Sequence, residues 1–320
     1  MLQIRKYTPA DKAQWDKFVE TSRNSTFLFR RDFMDYHADR FADHSLIAED
    51  ERGWLAVLPA NAAGTAFHSH QGLTYGGFVL SPRAGAGCVM ALFDAVQDFL
   101  RHRGFTAWLY KQVPYIYHRQ PSEDEEYALW RIGASLEVCN LAATIDLQSP
   151  LLPAQEERRG RGKRRALKAG YRIAPLAGPD DLAAYWPIID TNLMTCHATR
   201  PVHTCAEMQL LMGRFPHNIR AWGATLDGLP AGILLMFDTQ MVAHSQYPHA
   251  TAEGKQQGVM DLLILNALDY YRTERSDLRY FDFGISNEQG GRFLNEGLQA
   301  QKEGFGGRGV TYKQWLIPLA

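Results

Sequence analysis

Lys255-Gln256-Gln257-Gly258-Val259-Met260 opens the stretch on which the reading of this chain turns. A helix is predicted over residues 259–274, directly after Gly258. A second helix, with Val89, Leu92, Phe93, Val96 and Leu100 at helical spacing, follows Gly87. Laid over each other at a spacing of 171 residues, the two bring Asp98 onto Asp269, Phe99 onto Tyr270, Leu100 onto Tyr271 and Arg101 onto Arg272. Each begins after a glycine, follows a run of short β-like segments and leads into an aromatic-rich strand, at 106–110 in one case and 278–283 in the other. That repeated order predicts two copies of one α/β unit.

Working outward, residues 9–22 read as a helix with Trp15, Phe18 and Val19 on one face, and 31–41 as a shorter one. Runs at 46–49, 54–58, 66–69 and 78–80 read as strands separated by glycine and asparagine turns. A strand at 141–147 closes this half. Pro150 and Pro153 then lead into Arg158-Arg159-Gly160-Arg161-Gly162-Lys163-Arg164-Arg165, a sharp change of composition. Beyond it come a strand at 171–176, helices at 180–193 and 205–214, and strands at 219–226, 231–237 and 241–247. The expected division is a first unit over 1–150, a basic linker or helix over 151–170 and a second unit over 171–320. The expected class is α/β (α+β), each unit a mixed, largely antiparallel sheet flanked by helices.

Composition narrows the function classes. With 320 residues, 34 Lys plus Arg against 35 Asp plus Glu and 46% hydrophobic residues, the chain is neither disordered, collagenous nor a supercharged nucleic-acid binder. Residues 1–20 alternate charged and apolar positions, and no run approaches the roughly 20 apolar residues that cross a bilayer. A cytoplasmic protein is expected, at most peripheral at the inner membrane face. Cys88, Cys139, Cys196 and Cys205 form no CxxC pair, so neither a disulfide framework nor a zinc ribbon is signalled. Cys196-His197 with His203 and Cys205 offers ligand types, but adjacent ligands strain a tetrahedral site; no metal is expected.

Several constellations carry chemistry. At the start of a helix, Lys255, Gln256, Gln257 and Gly258 offer unpaired backbone N–H groups and the positive end of a dipole, a place for phosphate. Acyl transfer to an amine needs a group that takes a proton and a donor for the developing oxyanion. Asp282, Glu303 and His244 are the base candidates, with Tyr247 as hydroxyl donor. In the loop 195–203, Arg200 and His203 are placed to meet an anionic acceptor. The basic run is a candidate for guiding a polyanion such as tRNA, although it lacks interleaved aromatics. Met90 breaks a dinucleotide fingerprint after Gly85 and Gly87, and Gly284-Ile285-Ser286-Asn287-Glu288 lacks the last glycine of a nucleophile elbow.

Phe281-Asp282-Phe283-Gly284-Ile285-Ser286, Phe293-Leu294-Asn295-Glu296-Gly297-Leu298 and Lys302-Glu303-Gly304-Phe305-Gly306-Gly307 follow in close order. With Lys168-Ala169-Gly170 and the turn Tyr75-Gly76-Gly77, the sequence resembles the tandem-GNAT proteins related to the Fem aminoacyltransferases of cell-wall synthesis. The GNAT acyl-CoA turn reads Arg or Gln, two residues, Gly, one residue, then Gly or Ala. Lys255 stands first here, Gly258 matches and Met260 departs. The resemblance implies two GNAT units, transfer of an acyl or aminoacyl group to an amine on a cell-envelope precursor, and no metal. It implies that Lys302 meets substrate phosphate and that Gly284 and Gly306 are turn residues. Ser286, Asn295 and Tyr75 from the same motifs join Lys302, Arg200 and His203 as expected substrate contacts. Peptidoglycan-modifying members carry an acidic residue shortly after the first glycine turn, whereas Gly77-Phe78-Val79-Leu80-Ser81 has none.

The expectation is therefore an N-acyltransferase moving an acyl group from acyl-CoA to an amino group of a sugar or peptidyl precursor, small or lipid-linked. Two alternatives stand beside it. One is an aminoacyl-tRNA-dependent transferase that uses the basic run. The other is a catalytically silent binding protein whose donor turn has decayed at Met260. DNA is not an expected partner.

Overall fold

Two amphipathic helices, each laid across a sheet behind a parallel pair of strands, organise the chain into two units, each with its own apolar core. The computed structural model describes residues 2–151, 156–197 and 199–319. The chain opens with β1 (Gln3–Lys6), α1 (Lys12–Thr21) and α2 (Arg31–Met34), then β2 (Leu46–Asp50), β3 (Gly53–Leu58), β4 (Asn61–Ala63), β5 (Ala66–His68) and β6 (Val79–Leu80). There follow α3 (Ala86–Arg101), β7 (Ala107–Lys111), α4 (Asp124–Arg131) and β8 (Ser135–Asp146).

In the first unit β1, β2, β3 and β6 form an antiparallel sheet. A second sheet pairs β4 with β5 in antiparallel fashion, and β5 with β7 in parallel, Ala66 against Ala107, Phe67 against Trp108 and His68 against Leu109. Strand period sends Phe67, Trp108 and Tyr110 to the core and Leu109 and Lys111 to the other face. The stripe expected on α3 is the buried one: Val89, Leu92, Phe93, Val96 and Leu100 pack on Phe67, Phe78, Trp108 and Tyr110. Phe93 lies with its ring centroid 5.5 Å from that of Trp108. Gly77 sits at φ 80, and a Cβ there would meet the Tyr110 hydroxyl oxygen at 2.7 Å, so the turn needs glycine. Residues 124–131, with acidic residues Asp124, Glu125 and Glu126 in their first turn, form α4.

The second unit begins with the last residues of β8 and continues through α5 (Glu157–Lys168), β9 (Arg172–Pro175), α6 (Leu182–His197), α7 (Cys205–Arg214), β10 (Ile219–Leu226), β11 (Leu229–Asp238), β12 (Val242–Ala250), α8 (Ala252–Gln257), α9 (Val259–Thr273) and β13 (Tyr280–Ile285). Its strand order is β8-β13-β12-β11-β10-β9, antiparallel except for β12 and β13, which run parallel. Behind that parallel pair α9 buries Val259, Leu262, Leu263, Ala267 and Tyr271 against Leu234, Met236, Ala243 and Phe281. Both units thus repeat one plan, a parallel strand pair with a helix in the connection.

After β13 come the two-stranded β14 (Asn287–Glu288) and β15 (Phe293–Leu294), then α10 (Glu296–Glu303) and β16 (Arg308–Pro318). The units are not contiguous. Asn287–Leu294 and Val310–Ala320 belong with Met1–Leu141, because β16 pairs antiparallel with β7 and sends Ile317 and Leu319 into the first core. This division differs from one made at residues 150 and 170, since strand pairing across about 200 residues leaves no local trace. The basic segment after residue 156 is a helix packed in the second unit, with Ala166 in its core.

Candidate active site

Register places His244 and Asp282 side by side, as the third pair of the parallel strands β12 and β13. Their neighbours Ala243 and Phe281 face α9, so both side chains project from the opposite face of the sheet. His244 Nδ1 lies 2.8 Å from Asp282 Oδ2. Asp282 is fully buried and also accepts from the Thr144 hydroxyl at 2.8 Å and from the Gly284 N–H at 3.2 Å. A buried carboxylate needs such donors to stay ionised. With Nδ1–H donating to Asp282, a neutral imidazole carries its lone pair on Nε2. Two residues that reach this site from separate motifs are therefore one hydrogen-bonded unit, and Thr144, which nothing in its local sequence marks out, is the third member.

The turn after Asp282 is held from below. Gly284 stands at φ 73, and a Cβ there would come within 3.3 Å of His244 Cε1. Lys302, 7% exposed, donates its three ammonium protons to the Gly284 carbonyl at 2.8 Å, the Ile285 carbonyl at 2.7 Å and Ser286 Oγ at 2.9 Å. Burial draws its pKa down to about 8, against the pull of Asp282. All three donors are occupied, so this lysine braces the strand end and offers no proton to a phosphate, in contrast to the role the resemblance implies. Ser286 is part of the same brace. Asn295 caps α10 by accepting from the Leu298 N–H at 3.0 Å, and its own N–H reaches the Ser286 carbonyl at 2.9 Å. Glu303 is exposed on α10 and accepts from Gln299 Nε2 at 2.9 Å. One step along a helix turns it away from Lys302, and it does not join Asp282.

Tyr247 reaches the His244 face by a bulge. In the β11–β12 ladder Leu235 faces Tyr247 but Met236 faces Ser245, and the extra residue restores Tyr247 to the side opposite Ala243 and Ala250. Its hydroxyl lies 2.9 Å from His203 Nδ1, its ring sits edge-on to Trp186, and burial pushes its pKa up to about 12. Tyr247 and His203 are thus brought together. Arg200 is exposed, and the side chains of Cys196 and His197 lie outside the described residues. Tyr75 is buried in the first unit, donating to Thr26 Oγ1 at 3.1 Å.

The expected donor turn is not a strand-to-helix loop. Lys255, Gln256 and Gln257 lie in α8, and Gly258 alone joins it to α9 at φ 88. A Cβ on Gly258 would collide with the carbonyl of Gly162 in α5, so glycine is required here by helix packing. Asp261, in the first turn of α9, pairs with Arg159 at 3.0 Å and sets a carboxylate of the chain's own at the positive end of the helix. The Lys255 ammonium bonds the side-chain carbonyl of Asn192. Along α5, Arg158 pairs with Glu156, Arg161 with Glu157 at 3.2 Å and Lys163 with Asp269 at 3.1 Å. Among the described residues no group of three or more His, Cys, Asp or Glu is placed to hold a metal ion, and no helix is long and apolar enough to cross a membrane.

The Acetyltransferase (GNAT) domain family matches residues 155–292. Among solved structures, FemX shares 10% identity with a TM-score of 0.71, over 99% of this chain and 97% of its own. The C-terminal domain of a lysylphosphatidylglycerol synthetase from Agrobacterium fabrum, described as putative, shares 15% identity with a TM-score of 0.64, over 97% and 92%. A tandem GNAT protein from the clavulanic acid biosynthesis pathway shares 16% identity with a TM-score of 0.56, over 100% and 99%. No curated protein sequence matches the chain at a significant level. A GNAT domain family thus matches residues 155–292, and over its length the chain shares the fold of FemX and of the tandem GNAT protein.

Proposed function

We propose that the chain is an N-acyltransferase which moves an acyl group from acyl-CoA to an amino group of a sugar or peptidyl cell-envelope precursor, with its chemistry in the second unit. The observation that carries this reading is the His244–Asp282 pair, anchored by Thr144. Asp282 fixes the imidazole so that Nε2 accepts the proton of the attacking amine. The amine nitrogen forms its bond to the thioester carbon, the carbon–sulfur bond breaks, and the departing thiolate takes the proton back from His244. Tyr247, on the same face, is the hydroxyl that meets the developing oxyanion. His203 and Arg200 are the proposed contacts of the acceptor.

Two points favour a CoA donor over charged tRNA. Four cations of α5 already have carboxylate partners, which reduces what that helix offers a polyanion. The description of a tandem GNAT protein of similar fold names AcCoA as the ligand its structure is without. The lysylphosphatidylglycerol synthetase likeness keeps a lipid-linked amine among the acceptors to try. The test is calorimetric titration with acetyl-CoA and free CoA, followed by release of CoA thiol in the presence of amino sugars and short peptides. Saturable binding and acceptor-dependent thiol release, lowered roughly 100-fold or more in His244→Gln, support the reading. Full turnover in that variant, or no binding of either CoA form, overturns it.

A further inference from the structure

The first unit holds a second version of the same place on the sheet. In β5 and β7 the third parallel pair is His68 with Leu109, as His244 with Asp282 is the third pair of β12 and β13. In both units the preceding pair, Phe67 with Trp108 or Ala243 with Phe281, faces the core. His68 therefore corresponds to His244 in register and in face, while a leucine stands where the second unit has its carboxylate. Lys111 follows on the same face, opposite Gln314 of β16.

With His70 and Gln71, these side chains line a cavity of about 340 Å³, at the small end of ligand sites. No acidic residue lines it. The Lys111 ammonium draws the loop over the strand end through bonds to the carbonyls of His70 at 3.3 Å, Gln71 at 3.2 Å and Leu73 at 2.7 Å. Burial lowers its pKa to about 8, so it is still mostly charged at pH 7. His70, 4% exposed, is held at φ 63, a strained conformation for a residue with a side chain, and its Nδ1 has no hydrogen-bond partner. A half-buried cation without a carboxylate, two imidazoles and two amides leave one kind of charge unmatched.

We propose that this cavity is an oxyanion subsite, which takes the carboxylate or phosphate group of a small molecule on N–H donors of His68, His70 and Gln314, with Lys111 supplying the charge. Where the second unit sets a histidine against a carboxylate to move a proton, the first sets one beside an ammonium to hold an anion. The inference does not depend on the transfer reaction.

The test is calorimetric titration of the full chain with inorganic phosphate and, separately, with acetate, at constant ionic strength and pH 7. Saturable binding of either one is expected, weakened roughly tenfold or more in both His68→Leu and Lys111→Met, and unchanged in Asp282→Asn. The stronger of the two anions identifies the group. The His68 side chain makes no hydrogen bond among the described residues, so His68→Leu decides alone if circular dichroism shows that Lys111→Met has lost its fold. Absence of saturable binding for both anions, or binding undiminished in His68→Leu, overturns the proposal.

Discussion

Asp282 accepts hydrogen bonds from His244, Thr144 and Gly284, and each donor has its own consequence. Removing the Thr144 hydroxyl while keeping the shape of the side chain, in Thr144→Val, takes from one carboxylate oxygen the donor that stands beside the Gly284 N–H. Under the proposed mechanism that should cost roughly five- to tenfold in kcat with little change in KM, since about 1 kcal/mol is the ordinary worth of such a bond. Steady-state kinetics checks it, and an unchanged kcat would mean that the imidazole is oriented by other contacts. A second residue speaks to stability. Glu125 on α4 is fully buried, and burial pushes its pKa up to about 8. The folded state therefore keeps a proton that the unfolded chain releases near pH 4.5, and the stability this gives is lost as pH rises through 8. Glu125→Gln, which cannot ionise, should match the natural protein at pH 5 and exceed it by a few kcal/mol at pH 9, read from denaturant midpoints. Buried His118 and His70, with pKa values lowered to about 4 and about 3, act at the acid end: their contribution is lost as pH falls below about 6.5. Comparing the two proteins at each pH cancels that effect.

Among elements, the crossing of α5 and α9 is the most exacting. Gly162 faces the Asp261 carboxylate and Gly258 faces the Gly162 carbonyl, whereas Gly160, on the same helix, has only the tip of Arg164 within 4 Å. Gly162→Ala should destabilise the second unit by about 1–3 kcal/mol through overpacking. Gly160→Ala should be neutral or stabilise by about 0.5–1 kcal/mol, through helix propensity alone. Thermal unfolding separates the pair, and equal effects would sink the packing argument. Elements are also the scale at which the sequence is most readable. The stripe on α3, the extent of α7 and the strands around residues 219–250 follow from period and turn residues. The α5 helix is harder to read, since its spacing is masked by seven cations and its buried face is made of Arg159, Gly162 and Ala166. Asp282 is conspicuous in its motif and His244 stands out as a titratable residue on a strand, but their pairing depends on a parallel register set by the connecting helix. Thr144 and the bulge at Tyr247 are products of sheet geometry, with no local signature.

For the whole molecule, the decisive fact is that β16 pairs with β7. A fragment confined to residues 1–150 lacks Ile317, Leu319 and the neighbour of β7. Deleting residues 308–320 should therefore strip amide protection from Tyr110 and Gln112, whose N–H groups point to β16, while β10 to β12 keep theirs. Hydrogen exchange by mass spectrometry makes the comparison, and retained protection in β7 would show that the first unit does not need its distant strand. The same pairing governs how the protein is born. At ordinary synthesis rates of about 5–20 residues per second, roughly 200 residues separate β7 from its partner, a wait of about 10–40 seconds on the ribosome. During that interval one side of β7 has no strand to meet, and an open strand edge invites pairing with other nascent chains. Slow translation through the second half should therefore lower the soluble yield of this protein more than that of one whose units are each contiguous in the chain.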